Sequence, residues 1–231
     1  TAQQLAPYVP VQTSVSDLAE IDHATVTEIL RPDMLRTASG KIYILDNIRV
    51  PRLYDARAIT YLTDNVLNKK VIFYANPNIG DGAVDRLGNH KAHVTSADGQ
   101  TWIQGAMVAQ GLAWADSSVE NRDLIKPLLA LEETARKEAK GFWSAPGLRV
   151  RTQKELGKDI NSFQVFEGKV FDVAENKGVF FLNFDKDWKT DTTLRASYET
   201  EKFFRTRAIY LRNYKNQTIR ARGWVRLENG P

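Results

Sequence analysis

Ile42-Tyr-Ile-Leu-Asp-Asn-Ile-Arg-Val-Pro51 opens on four consecutive apolar residues and closes on a proline. A short apolar run of this kind predicts a buried strand, and Pro51 ends it because proline has no N–H to offer a ladder. Working back, Val26, Ile29 and Leu30 predict a preceding strand, joined to this one by a turn at Ala38-Ser-Gly-Lys41. Working forward, the period changes. Ile59, Leu62 and Val66 stand at i, i+3 and i+7, which predicts a helix over Asp55–Leu67. Val71-Ile-Phe-Tyr74 then returns to a strand, ended by Asn76-Pro77 and a loop holding Gly80-Asp-Gly82.

Lys91–Thr95 and Thr101–Ile103 flank Ala97-Asp-Gly-Gln100, a hairpin signal because Asp-Gly tolerates the positive φ of a tight turn. Ala106–Gln110 predicts a short helix capped by Gly111. A longer helix is expected over Asp123–Lys140, with Leu124, Leu128, Leu131 and Ala135 as its apolar stripe and Gly141 as its stop. Trp143 is expected to pack on that stripe. Residues 1–23, with Pro7 and Pro10, predict an extended arm, and residues 148–162 a polar linker. Beyond it, Phe163–Val173, Val179–Phe184, Thr192–Ala196 and Thr218–Leu227 predict strands, with a helix near Glu199–Phe204. Asn229-Gly230 is a hairpin signal, so a further strand pairing with Thr218–Leu227 is expected to be missing.

The composition is that of a globular chain: 231 residues, 42% hydrophobic and 26% charged. No apolar run approaches the roughly 20 residues that a membrane-spanning helix needs. With no cysteine there is no disulfide, thiolate metal site or cysteine nucleophile. That absence fits a secreted or periplasmic protein of bacterial type. The net charge of +4 is unevenly spread: residues 151–231 hold 16 Lys and Arg against 11 Asp and Glu, leaving 16 against 17 before them. Between Lys202 and Arg226 there is no acid at all. Such a stretch is either a polyanion-binding surface or a solvated basic face.

The order of these pieces resembles the staphylococcal nuclease-like, or thermonuclease, family. The resemblance runs over residues 24–147 and rests on Ile48-Arg-Val-Pro51, Asp85-Arg-Leu-Gly88, Val108-Ala-Gln-Gly-Leu-Ala113 and Phe142-Trp-Ser144 in that sequence and spacing. It implies a mainly β, α+β fold: an OB-type five-stranded barrel with packed helices, followed over residues 163–231 by a second, smaller OB-like β-barrel. It also implies hydrolysis of DNA or RNA with one Ca²⁺ held by carboxylates, a Glu acting on the attacking water and two Arg on the phosphate.

Position by position, those roles are mostly gone. Asp33 keeps one ligand carboxylate, but Arg31 stands where the other acid of that turn belongs. Ile44 and Asn89 occupy the places of the two phosphate-clamping arginines, Arg49 that of a metal-binding Asp, and Arg52 that of the water-activating Glu. A hard divalent cation needs oxygen ligands, and an added unit charge about 4 Å away changes its energy by several kcal/mol even at an effective dielectric near 20. The expectation is a non-catalytic binding module with no cofactor. The alternatives are a Ca²⁺-dependent nuclease with a rearranged site, or an accessory subunit of a larger assembly.

Other groupings carry less. His90 and His93 form a His-x-x-His beside a strand, where the two point to opposite faces, so two partly exposed polar residues are expected rather than a metal pair. Asp81 and Asp85 do not follow the EF-hand spacing. Trp102, Trp114 and Trp143 sit in apolar stretches and are expected in the core, whereas Trp188 follows a charged turn and is expected to be exposed. Phe203 and Phe204, flanked by Lys202 and Arg205, read either as aromatics of a single-strand binder or as core. The candidate polyanion-binding residues are Arg205, Arg207, Arg212, Lys215, Arg220, Arg222, Trp224 and Arg226. The partners they imply are single-stranded nucleic acid, another polyanion, or a protein.

Overall fold

The computed structural model describes residues 18–79, 84–117, 124–187 and 191–227. Most of the expected arm, the Gly80-Asp-Gly82 loop with Asp81, Trp188 and the Asn229-Gly230 turn lie outside them. Two compact units divide the chain between Pro146 and Gly147. Among the described residues, no helix is long and apolar enough to cross a membrane.

The first unit is built on β1 (Ala19–Arg31), β2 (Met34–Thr37) and β3 (Ile42–Leu45), a meander of antiparallel strands. β1 begins at Ala19, so residues 19–23 belong to the barrel rather than to an arm, held by pairing with the strand over residues 70–75. The short β4 (Ile48–Arg49) and α1 (Asp55–Asn65) lead into β5 (Lys70–Ala75) and β6 (His90–Ser96). β6 runs parallel to β3 and antiparallel to β5, and β5 closes on β1, giving a barrel in the order β1-β2-β3-β6-β5. The alternation of β2, β3 and β5 turns Leu35, Tyr43, Leu45, Val71 and Phe73 inward. On α1 the buried residues are Ala58, Tyr61 and Leu62, with Val66 just beyond, so Leu62 and Val66 of the expected stripe are buried while Ile59 is exposed and Ala58 and Tyr61 complete the face. The second arm of the expected hairpin reduces to one bridge, Trp102 to Thr95, because the chain turns into α2 (Ile103–Ala109) at once.

α2 ends in a turn whose two bonds, Leu112 N–H to Met107 O at 2.9 Å and Gly111 N–H to Val108 O at 3.0 Å, form a Schellman motif. Gly111 has φ +65° there. β7 (Trp114–Ala115) follows, and then α3 (Ile125–Lys137). α3 ends in the same motif, but with Ala139 rather than glycine at φ 52°. The two helix ends meet back to back: Phe142 N–H donates to Gly111 O at 2.9 Å, and a Cβ on Gly111 would lie 2.2 Å from the Lys140 carbonyl oxygen. A Cβ on Gly141 (φ +52°) would lie 2.1 Å from Gly111 O. Trp102, Trp114 and Trp143 are in the core as expected. The centre of the aromatic packing beside α3 is Phe142 rather than Trp143, with Trp114 5.1 Å, Tyr54 5.8 Å and Trp143 4.6 Å away between ring centroids.

In the second unit the expected linker is ordered structure: β8 (Arg151–Thr152) and a 3-10 turn over Gln153–Lys158 with a capping box between Thr152 and Glu155. The Thr152 backbone N–H, ahead of the Arg149 guanidinium, holds the Glu155 carboxyl down to about 2. The expected single strand Phe163–Val173 breaks at Val170 and Phe171 into β9 (Phe163–Lys169) and β10 (Asp172–Asn176). β11 (Val179–Asn183) and β12 (Thr193–Ala196) continue from β10, and after α4 (Tyr198–Arg205) the strand β13 (Thr218–Trp224) returns to β9. Where a small OB-like barrel lacking its last strand was expected, these strands form two three-stranded sheets, β10-β11-β12 and β13-β9-β8, because the break separates the ladders of β9 and β10. Phe166, Val170, Phe180, Leu182, Phe184 and Leu211 form the core.

Gly111→Ala is expected to destabilise the first unit by about 3 kcal/mol or more, since a left-handed backbone and a clash with a fixed carbonyl add up. Ala139→Gly is expected to do the reverse, by roughly 0.5–1 kcal/mol, because it relieves a left-handed alanine without disturbing a contact. Urea unfolding of both variants checks the pair of signs.

Candidate functional site

Where β3 leaves the barrel, the chain reverses through Asp46 and Asn47 into β4, and β4 pairs antiparallel with β7. Asn47 holds the reversal with φ 60°, and its backbone oxygen accepts from Asp116 N–H at 2.9 Å. This ribbon and the turn between β1 and β2 wall a cleft of about 570 Å³. Its ionisable lining is Arg31, Asp33, Asp46, Arg49, Asp55, Lys91 and Asp116.

Arg31 and Arg49 each pair with a carboxylate in the cleft. Arg31 grips Asp33 with both ends of its fork, Nε to Oδ1 at 3.0 Å and Nη2 to Oδ2 at 3.2 Å. Arg49 donates Nε to Asp116 Oδ2 at 2.8 Å, with Nη2 2.7 Å from the same oxygen. Asp46 is buried and accepts from the Asn47 backbone N–H at 2.9 Å. Among the described residues, no three His, Cys, Asp or Glu side chains converge as a metal-binding group.

The family model described as staphylococcal nuclease homologue matches residues 35–145. The first unit carries a staphylococcal nuclease-like domain. No curated protein matches the chain. A domain of this family points to nucleic-acid binding or nuclease activity.

Of the six positions carried over from the nuclease-like family, Arg31, Asp33, Ile44 and Arg49 line the cleft, whereas Arg52 and Asn89 do not. Arg52 begins an exposed 3-10 turn. Asn89 turns away to staple its own loop, donating Nδ2 to Asp85 Oδ2 at 2.9 Å and its backbone N–H to Asp85 Oδ1 at 3.0 Å. The Asn89 side chain, more than any other group, lowers the Asp85 carboxyl from its ordinary value. Four cleft residues have no motif of their own: Asp46, Asp55, Lys91 and Asp116. Lys91 faces Ile44 across the parallel β3–β6 pair, which brings a cation to the cleft beside that residue. Asp116 is 67 residues from Arg49, beyond the reach of any local signal.

Behind the cleft, His93 is fully buried rather than partly exposed. Trp102 Nε1–H donates to His93 Nδ1 at 3.2 Å, so the ring proton sits on Nε2 and is donated to Asn47 Oδ1 at 2.9 Å. Burial pushes the His93 imidazole down to about 3. His90 instead stacks near Tyr43 at 5.5 Å.

In the second unit the basic run is dispersed and partly neutralised. Arg205 pairs with the buried Glu201 at 2.9 Å, Arg212 with Glu175 at 2.5 Å, Lys215 with Asp172 at 2.8 Å and Arg220 with Glu167 at 3.0 Å. These acids lie before Lys202 in sequence, so a run without acids is not a surface without acids. Arg207 lies over the Phe203 ring at 3.8 Å, while Phe204 packs on the core. Arg222 and Trp224 lie at the end of β13, with Arg226 two residues beyond it.

The neutral His93 sets a pH dependence with a definite sign. Its folded pKa is depressed, so the unfolded chain takes up a proton first as pH falls. The stability it contributes is complete above about 6.5 and declines from there towards 3, by up to about 1.4 kcal/mol per pH unit. Denaturant midpoints at pH 7 and pH 5 should therefore differ by more in the parent protein than in His93→Gln; equal differences would place the proton uptake elsewhere.

Proposed function

We propose that this chain is a non-catalytic nuclease-like protein that binds a polyanion or a protein partner. The observation that carries this reading is the pairing of each cleft guanidinium with a cleft carboxylate, Arg31 with Asp33 and Arg49 with Asp116. A nuclease of the family's type needs carboxylate oxygens for a cation and unengaged arginines for the phosphate. Here Asp33, the one ligand carried over, is already chelated by an arginine, and Arg49 replaces a ligand with a positive charge. That donor set does not suit Ca²⁺. With Arg52 outside the cleft lining, nothing stands in for the water-activating acid at its position.

A second reading has an observation in its favour. Asp33, Asp46, Asp55 and Asp116 all line the cleft, which is more carboxylate than its motifs hold. A rearranged metal-dependent nuclease is the function those acids would serve. Incubation of the intact chain with denatured DNA and RNA, in Ca²⁺ and in chelator, separates the two. The expected result is no metal-dependent cleavage, because losing a single transition-state donor already lowers rates by about 10²–10³. Cleavage that requires Ca²⁺ and disappears in Asp33→Ala would establish the rearranged site instead.

A further inference from the structure

We infer that the end of β13 bearing Arg222, Trp224 and Arg226 is a binding surface for single-stranded nucleic acid. The inference rests on the reading of the chain as a protein that binds rather than cuts. Trp224 is 54% exposed, an unfavourable place for so large an apolar ring unless something covers it. The ring is not loose. Its cross-strand partner is the buried Phe163, whose ring lies edge-on to it at 6.5 Å. Trp224 is thus supported from the sheet while more than half of it stays in water.

Side chains two apart on a strand share a face and stand about 6.8 Å from one another. Arg222 and Trp224 share that face of β13 by register, opposite Val165 and Phe163. Val225 turns into the core and bonds with Ser162 through N–H to O at 2.9 Å, which carries the alternation on so that Arg226 is exposed beyond Trp224. The result is cation, aromatic, cation in a row along one face. Stacking needs an unpaired base, because a duplex keeps its base faces covered. The acid on the same face, Glu167, lies at the far end and is engaged by Arg220. The exposed Lys169 stands beyond it, opposite Thr218. DNA and RNA both present the required backbone and base faces, so sugar identity is a matter for the test.

The test uses the full chain and a short labelled oligo(dT), with oligo(U) and a duplex of mixed sequence as further arms, by fluorescence anisotropy in chelator at two salt concentrations. Trp224→Ala should weaken single-strand binding on the order of tenfold or more, and Trp224→Phe should retain most of it. Arg226→Ala should weaken binding and lower the slope of log affinity against log salt by about 1. Arg212→Ala, whose guanidinium is committed to Glu175, should change little. Binding should also quench tryptophan emission in the parent more than in Trp224→Phe, which reads the contact even where the alanine variant does not fold. Equal affinity for duplex and single strand, an unchanged affinity in Trp224→Ala, an Arg212→Ala loss as large as that of Arg226→Ala, or no binding at low salt would each overturn the inference. A parallel incubation in Ca²⁺ keeps the two readings apart: cleavage there removes the non-catalytic reading, while the binding results still judge the β13 surface.

Discussion

The backbone of Gly111 lies against that of Lys140 and Gly141 at a separation where neither glycine has room for a Cβ. Both have φ in the left-handed region, which other residues enter only at a cost. Because the ends of α2 and α3 meet at this point, the chain leaving Gly111 runs directly into β7, and β7 lies beside β4. Asp116 thereby arrives next to Arg49. The glycine contact also sets Phe142 between Trp114, Trp143 and Tyr54, so the same approach that packs the helices positions one wall of the cleft.

On that wall the chemistry is that of compensated charge. A guanidinium in a cleft could stand alone only at an electrostatic cost, and here Arg49 is answered by Asp116 and Arg31 by Asp33. Partly exposed pairs of this kind contribute modestly to stability, yet they determine what the cleft can hold, since a guanidinium fork on a carboxylate occupies the lone pairs a cation would use. Asn89 shows a different outcome at a family position. Its side chain turns inward to Asp85 and rigidifies a loop. Asn47 links the cleft to the interior, because it meets Asp116 on one side and the His93–Trp102 pair on the other. The second unit follows the same electrostatic logic, with Arg212, Lys215 and Arg220 each drawn to an acid from another part of the sequence and Arg205 to Glu201 one turn back on α4.

What the amino-acid order determined by itself is the first unit's fold. Short apolar runs at Ile42–Leu45 and Val71–Tyr74, helical spacing along α1 and α3, Pro51 and Gly111 are local signals, and each acts within a few residues. Pro51 anchored both Arg49 and Arg52 in the sequence, yet Arg49 lines the cleft and Arg52 does not. Partnership was not legible. Asp116 and Lys91 join the cleft through β4–β7 and β3–β6 pairing, and charge run and charge surface part company between Lys202 and Arg226 because acids from β9 and β10 neutralise Arg212, Lys215 and Arg220. The burial of His93 and the break between β9 and β10 belong with these. Side-chain environment is set by contacts between residues far apart in the chain, and only the tertiary structure decides which of them meet.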